Sequence, residues 1–115
     1  MFTVVAEQFS TEVAQVDGAT VIYVRGEIDM ATCERLRDAI EPHLGPKQTI
    51  ILDLSGVQFM GSACLHVLET ARGELTADGG SLILRNPSEA TRRLLTAAGA
   101  ERLLDEDVEQ HPTGG

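Results

Sequence analysis

The chain has no tryptophan, one tyrosine (Tyr23) and three phenylalanines in 115 residues. Flat side chains on which bases or sugars could stack are therefore scarce. Positive charge is also in short supply: 9 Lys and Arg against 18 Asp and Glu give a formal net charge of −9. That balance excludes electrostatic capture of nucleic acid or an anionic membrane and suits a protein partner. No apolar run approaches a membrane span, and Met1-Phe2-Thr3 opens no signal peptide, so a cytoplasmic protein is expected. There is no GxxxxGK[ST] phosphate loop to support ATP turnover. The two cysteines, Cys33 and Cys64, form no CxxC pair, which argues against zinc. In a reducing cytosol they are expected to be free thiols, with Cys64 a small buried apolar side chain. Its place in the first turn of a helix could also lower its pKa and give it a redox role. Neither a cofactor nor a metal is called for.

What the chain does have is aliphatic residues, enough to raise the hydrophobic content to 43% and support the core of a single domain. The informative stretch is 49–68, TIILDLSGVQFMGSACLHVL. Ile50, Ile51, Leu52 and Leu54 read as a short strand buried on both faces, as in a parallel sheet. Ser55-Gly56 breaks that pattern, and Val57, Phe59 and Met60 lead back toward the core. From Ser62 the spacing becomes helical, through Leu65, Leu68, Ala71 and Leu75, to about Ala77.

The rest of the chain fits around this unit. Strands are expected at 2–6, 12–16 and 20–24, with Asp17-Gly18 as the turn of a hairpin. A helix capped by Asp29 carries Cys33, Leu36, Ile40 and Leu44, and Pro42 and Gly45-Pro46 end it. Asp78-Gly79-Gly80 turns the chain into a strand at 81–84. Ser88 caps a third helix, and Gly99 is its C′ residue. Glu101 to Leu104 forms a short strand or turn. The expected organisation is a single domain over 1–104 and an acidic, weakly structured tail over 105–115. Strands alternating with helices give an α/β fold: a small mixed β-sheet with helices packed mainly on one face.

Ser62, at the start of a helix, has two readings. A serine there is a good N-cap, its hydroxyl accepting from a free N–H of the first turn. The same hydroxyl could instead be a modification site, since a phosphate would be tolerated at a helix N-terminus while adding nearly two negative charges to the surface. The surrounding residues argue against a hydrolase nucleophile. Met60 and Cys64 occupy both glycine positions of G-x-S-x-G, and His66, one helical turn on, is more simply a surface residue. Phe59 and Met60 read as core.

Three motifs in order, GEIDMAT at 26–32, DLSGVQFMGSACL at 53–65 and GGSLILRNPSEATRRLLTAAGAERLL at 79–104, resemble the STAS domain family. More narrowly, they resemble the bacterial anti-sigma factor antagonists. The resemblance covers nearly the whole chain and implies a STAS-type fold. In that family the stretch after the buried strand usually reads aspartate, serine, serine, glycine, leucine, and the first serine is phosphorylated by a kinase that is itself the anti-sigma factor. Aligned on Phe59-Met60 and Leu65, that serine is Ser62. The chain departs from the pattern at Gly61, Ala63 and Cys64. The resemblance implies a non-enzymatic partner switch. On that resemblance the unphosphorylated chain binds an anti-sigma factor (a serine-protein kinase) and frees a sigma factor, phosphorylation of Ser62 ends the complex, and a serine phosphatase resets it. The implied partner surface comprises Glu27, Asp29, Met30, Thr32, Gly61, Ser62, Ala63, Cys64 and His66. The alternative is a constitutive STAS interaction module in a larger transporter-associated or stress-signalling assembly, without a Ser62 switch. A third idea is a thiol-dependent switch through Cys64.

Overall fold

The computed structural model describes residues 9–104. The strand expected at 2–6 and the tail at 105–115 lie outside them. Four strands form one sheet in the order β1 (Phe9–Val16), β2 (Ala19–Ile28), β3 (Thr49–Met60) and β4 (Ser81–Arg85). β1 is antiparallel to β2, whereas β2–β3 and β3–β4 are parallel. The β1–β2 hairpin closes through Asp17 and Gly18 at φ 52° and 82°. Two successive positive φ values are what a two-residue turn needs to follow the twist of its strands, and Asp-Gly is among the sequences that best adopt them. Each parallel pair needs a crossover, and helices α1 (Cys33–Ile40) and α2 (Leu65–Ala77) supply them. After β4, α3 (Glu89–Ala97) returns the chain so that Leu104 bridges Leu84 in parallel.

The core lies on the helical side of the sheet. Ile22 and Val24 of β2, Ile50, Leu52 and Leu54 of β3, and Leu82 and Leu84 of β4 point into it. They meet Leu36 and Ile40 of α1, Leu68 and Leu75 of α2, and Leu95 of α3. Alternation along the strands explains the rest. Ile51 and Ile83, on the opposite face, are only half-buried. The helix ends follow the expected chemistry in part. Ser88 Oγ accepts from Thr91 N at 3.1 Å, and Gly99 takes φ 73° after α3. α1 ends at Ile40, followed by a 3-10 turn with Pro42 inside it.

β3 departs most from the sequence reading. Ser55-Gly56 does not end it; the strand runs 12 residues. Its pairing with β2 slips twice, between Tyr23 and Arg25 and between Gly26 and Glu27, with an extra β3 residue absorbed each time. A bulge bends a strand without terminating it, and Gly56 permits one here. A Cβ at Gly56 would come within 2.9 Å of Arg25 Cγ and 3.1 Å of Val24 O. The extension carries the chain to Phe59 and Met60 beside Glu27 and Ile28, which sets the position of everything that follows.

Candidate functional site

The adjacent C-terminal ends of β2 and β3 bring two loops together. Gly61 N donates to Ile28 O at 2.7 Å, tying the end of β3 to the start of the loop after β2. That loop folds around Asp29. Its Oδ1 accepts from Ala31 N at 3.0 Å and Thr32 N at 3.1 Å. Thr32 Oγ1 accepts from Asp29 N and donates to Glu27 O, both at 2.9 Å. Asp29 thus closes a side-chain turn, while the position before α1 belongs to Thr32, which makes no side-chain cap bond. The expectation that Asp29 itself caps α1 is corrected accordingly: its carboxylate serves the two N–H groups ahead of the helix.

The second loop is Gly61 followed by a 3-10 turn, Ser62–Cys64, after which α2 begins at Leu65. Ser62 is therefore not the cap of α2: it is the first residue of the 3-10 turn, which Gly61 precedes. Ser62, Ala63 and His66 are exposed. Gly61 sits at φ −79° and ψ 150°, a conformation open to any residue.

Two large apolar side chains stand in the open here: Met30 is 77% exposed and Phe59 50%. A Cβ on Gly61 would lie 3.8 Å from Phe59 Cε2, so this ring stands beside the residue that precedes Ser62. The reading of Phe59 as core is thereby corrected. The bulges before it turn its side chain outward, whereas Met60, 4% exposed, keeps its core place. Sequence reasoning missed Phe59 as a surface residue. The signal available was the alternation that makes Phe59 and Met60 point opposite ways.

Of the predicted surface, Glu27, Met30, Ser62, Ala63 and His66 are exposed, and Asp29 and Gly61 are half-exposed. Thr32, 7% exposed, and Cys64, 0% exposed, lie beneath it. Thr32 is committed to the hydrogen bonds that shape the Asp29 loop. Cys64 is bonded to Cys33, which overturns the expectation of free thiols. Their separation of 31 residues conceals that both follow the ends of neighbouring parallel strands, where their Cα atoms stand 5.5 Å apart.

The exposed set includes carboxylates at Glu27 and Asp29 but no lysine or arginine. His66 belongs to a different feature, the groove between α1 and α2 with Arg37, Ile40, Val67 and Thr70. No Ser62–His66 hydrogen bond forms among the described residues, so the nucleophile–base pairing of a hydrolase is not assembled. Nor do the described residues gather three or more metal-ligating side chains. No described helix is long and apolar enough to cross a membrane.

A polar network flanks this end of the sheet. Asp53 is 6% exposed. Its Oδ1 accepts from Ser55 Oγ at 2.7 Å and Ser55 N at 3.0 Å, while Oδ2 accepts from Asn86 Nδ2 at 3.2 Å and Arg85 Nε at 3.4 Å. Burial alone would push this carboxyl up. The four donors outweigh it and hold the group below the usual aspartate range. The network ties the bulged part of β3 to the end of β4.

The sequence matches the STAS domain family over residues 10–112. It is 35% identical over 63 residues to the anti-sigma-F factor antagonist RsfB of Mycobacterium tuberculosis, covering 54% of this chain and 52% of that protein. The alignment thus spans about half the length of that relative. The fold is similar to the crystal structure of an anti-sigma factor antagonist from Mycobacterium paratuberculosis, with a TM-score of 0.74 and 32% identity over 84% of this chain and 83% of that one. It is also similar to the Bacillus cell fate determinant SpoIIAA in its phosphorylated form, with a TM-score of 0.64 and 27% identity over 89% of this chain and 96% of that one. The mixed sheet, the one-sided helices and the sequence match agree: the chain belongs to the STAS domain family, in which its relatives are anti-sigma factor antagonists.

Proposed function

We propose that the chain is an anti-sigma factor antagonist that binds an anti-sigma factor through the surface around Ser62 and is released from it by phosphorylation of Ser62. The observation that carries this reading is an exposed serine, not used as a helix cap, beside exposed Met30 and Phe59. The similarity to a structure named as a phosphorylated form supports it. The partner is a serine-protein kinase. It transfers the γ-phosphoryl group of ATP to Ser62 Oγ, the hydroxyl proton is lost, and ADP leaves. A serine phosphatase reverses the modification by hydrolysis. The chain itself catalyses nothing, takes no cofactor and works in the cytoplasm, where sigma factors act. Residues 1–104 form the working unit.

The mechanism follows from the surface. Met30, Phe59 and Ala63 provide apolar contact, while Asp29 and Thr32 hold the first loop in shape. A phosphate on Ser62 would bring close to two negative charges into that apolar setting, next to Glu27 and Asp29. Docking would then require stripping water from the dianion.

The test is intact mass and site mapping after incubation with ATP and the anti-sigma kinases of the source organism, with Ser62→Ala as control. One added phosphate on Ser62, absent from the control, is expected. Stable binding to one of these kinases without phosphate transfer would instead make the chain a constitutive interaction module. That second reading is favoured by Gly61, Ala63 and Cys64, which replace the usual residues around the serine.

A further inference from the structure

The cross-link between the two loops has a consequence for regulation. Cys33 opens α1 and Cys64 closes the 3-10 turn that begins at Ser62, so their disulfide joins the Asp29 loop to the Ser62 turn from below. We infer that Cys33–Cys64 is a redox lock: oxidised, it holds the surface around Ser62 in its binding shape, and reduction releases the Ser62 turn. The regulatory part rests on the partner reading above; the structural part does not.

Three observations support the lock. First, without the cross-link the Ser62 turn has few ties. Its backbone holds through three bonds, Gly61 N to Ile28 O, Cys64 N to Gly61 O and Leu65 N to Ser62 O, and it has no side-chain cap. Second, the reduced state already has a place for its thiol. Cys64 Sγ lies 3.3 Å from Asp29 O. In the disulfide that sulfur has no proton to donate, but as a thiol it can donate to this carbonyl, so the pair has two chemically satisfied states. Third, the two sulfurs differ in access: Cys64 is 0% exposed and Cys33 9%, which makes Cys33 the point of entry.

The chemistry is dithiol–disulfide exchange with a dithiol reductant of the thioredoxin class. A reductant thiolate attacks Cys33 Sγ, the S–S bond breaks, and Cys64 leaves as a thiolate that takes up a proton. The second reductant thiol then attacks the mixed disulfide. Cys33 leaves as a thiolate and is protonated, and the reductant departs as its own disulfide. Two electrons and two protons pass to the pair. A small-molecule disulfide oxidant reverses the sequence by the same exchange. A binding face held rigid in advance has less ordering left to undergo on docking, so the oxidised form is the tighter binder.

The full chain is compared oxidised and after dithiothreitol, with Cys33→Ala as a chain that cannot close the bond yet keeps the Cys64 thiol. Amide hydrogen exchange is read across the chain, and far-UV circular dichroism monitors the fold. Reduction is expected to speed exchange about tenfold or more at 29–32 and 61–66 while β2, β3 and β4 stay protected. Cys33→Ala should match the reduced chain under both conditions. An anti-sigma kinase that binds the oxidised chain should bind the reduced chain at least about tenfold more weakly. Unchanged exchange, loss of protection throughout the sheet, or equal affinity of both forms would each overturn the lock. If no kinase binds either form, the partner reading fails while the exchange pattern still decides whether the lock exists.

Discussion

Ser62 illustrates how one hydroxyl can be assigned by what it does not bond. A serine acting as an N-cap contributes about 1 kcal/mol, and its loss in Ser62→Ala would appear in a urea titration. Here α2 begins three residues later and Ser62 is the cap residue of neither element. Ser62→Ala is therefore expected to change unfolding free energy by less than about 0.5 kcal/mol. Phe59 makes the complementary case. Half its surface is in water, so Phe59→Ala should leave stability nearly unchanged. In isothermal titration with the anti-sigma factor, the same change should weaken binding by about tenfold or more, as expected of an aromatic anchor at an interface. An equal loss of stability and affinity would return Phe59 to the core role that the sequence suggested.

At the scale of elements, Asp53 holds the bulged part of β3 to the end of β4. Because its folded-state pKa is depressed, the group contributes stability above its unfolded pKa, and that contribution is lost as pH falls through the folded value. Urea midpoints measured from pH 6 downward should fall as the pH passes below the ordinary aspartate range. Asp53→Asn, which removes the ionisation, should flatten that part of the profile. The helices, the Asp17-Gly18 hairpin and the Ser88 cap were legible in the sequence because each depends on residues a few positions apart. The reach of β3 was not. Ser55-Gly56 is a breaker in one dimension, but beside β2 it becomes a bulge, because Val24 and Arg25 approach where Gly56 has no side chain. For the same reason the burial of Thr32 could not be read, since it depends on where the lengthened strand delivers the next loop. The outward turn of Phe59 was open to a reading by alternation with Met60. The Asp53 network joins residues more than thirty positions apart, and the sequence offered only an acid inside an apolar run.

For the whole molecule, the Cys33–Cys64 bond closes a loop with a sequence separation of 31. Constraining the unfolded chain over such a loop contributes about 3–4 kcal/mol. A small domain has about 5–15 kcal/mol in total, so the reduced chain should remain folded with a lower denaturation midpoint. Oxidised and dithiothreitol-treated samples unfolded in urea check this directly. An unfolded reduced chain would make the bond a staple for the entire domain. The pairing was hidden in the sequence because it follows from parallel neighbours β2 and β3 ending side by side. The family, by contrast, was legible: the residues around the strand ends carry the STAS pattern even where Gly61, Ala63 and Cys64 depart from it.

The central claim is that charge on Ser62 controls a protein contact. The most direct measurement is a titration of the anti-sigma factor with wild type, Ser62→Ala and Ser62→Asp, all oxidised and all shown by circular dichroism to be folded. Wild type and Ser62→Ala should bind alike and Ser62→Asp at least about tenfold more weakly, a difference of about 1.4 kcal/mol. Equal affinity of Ser62→Ala and Ser62→Asp would contradict the account.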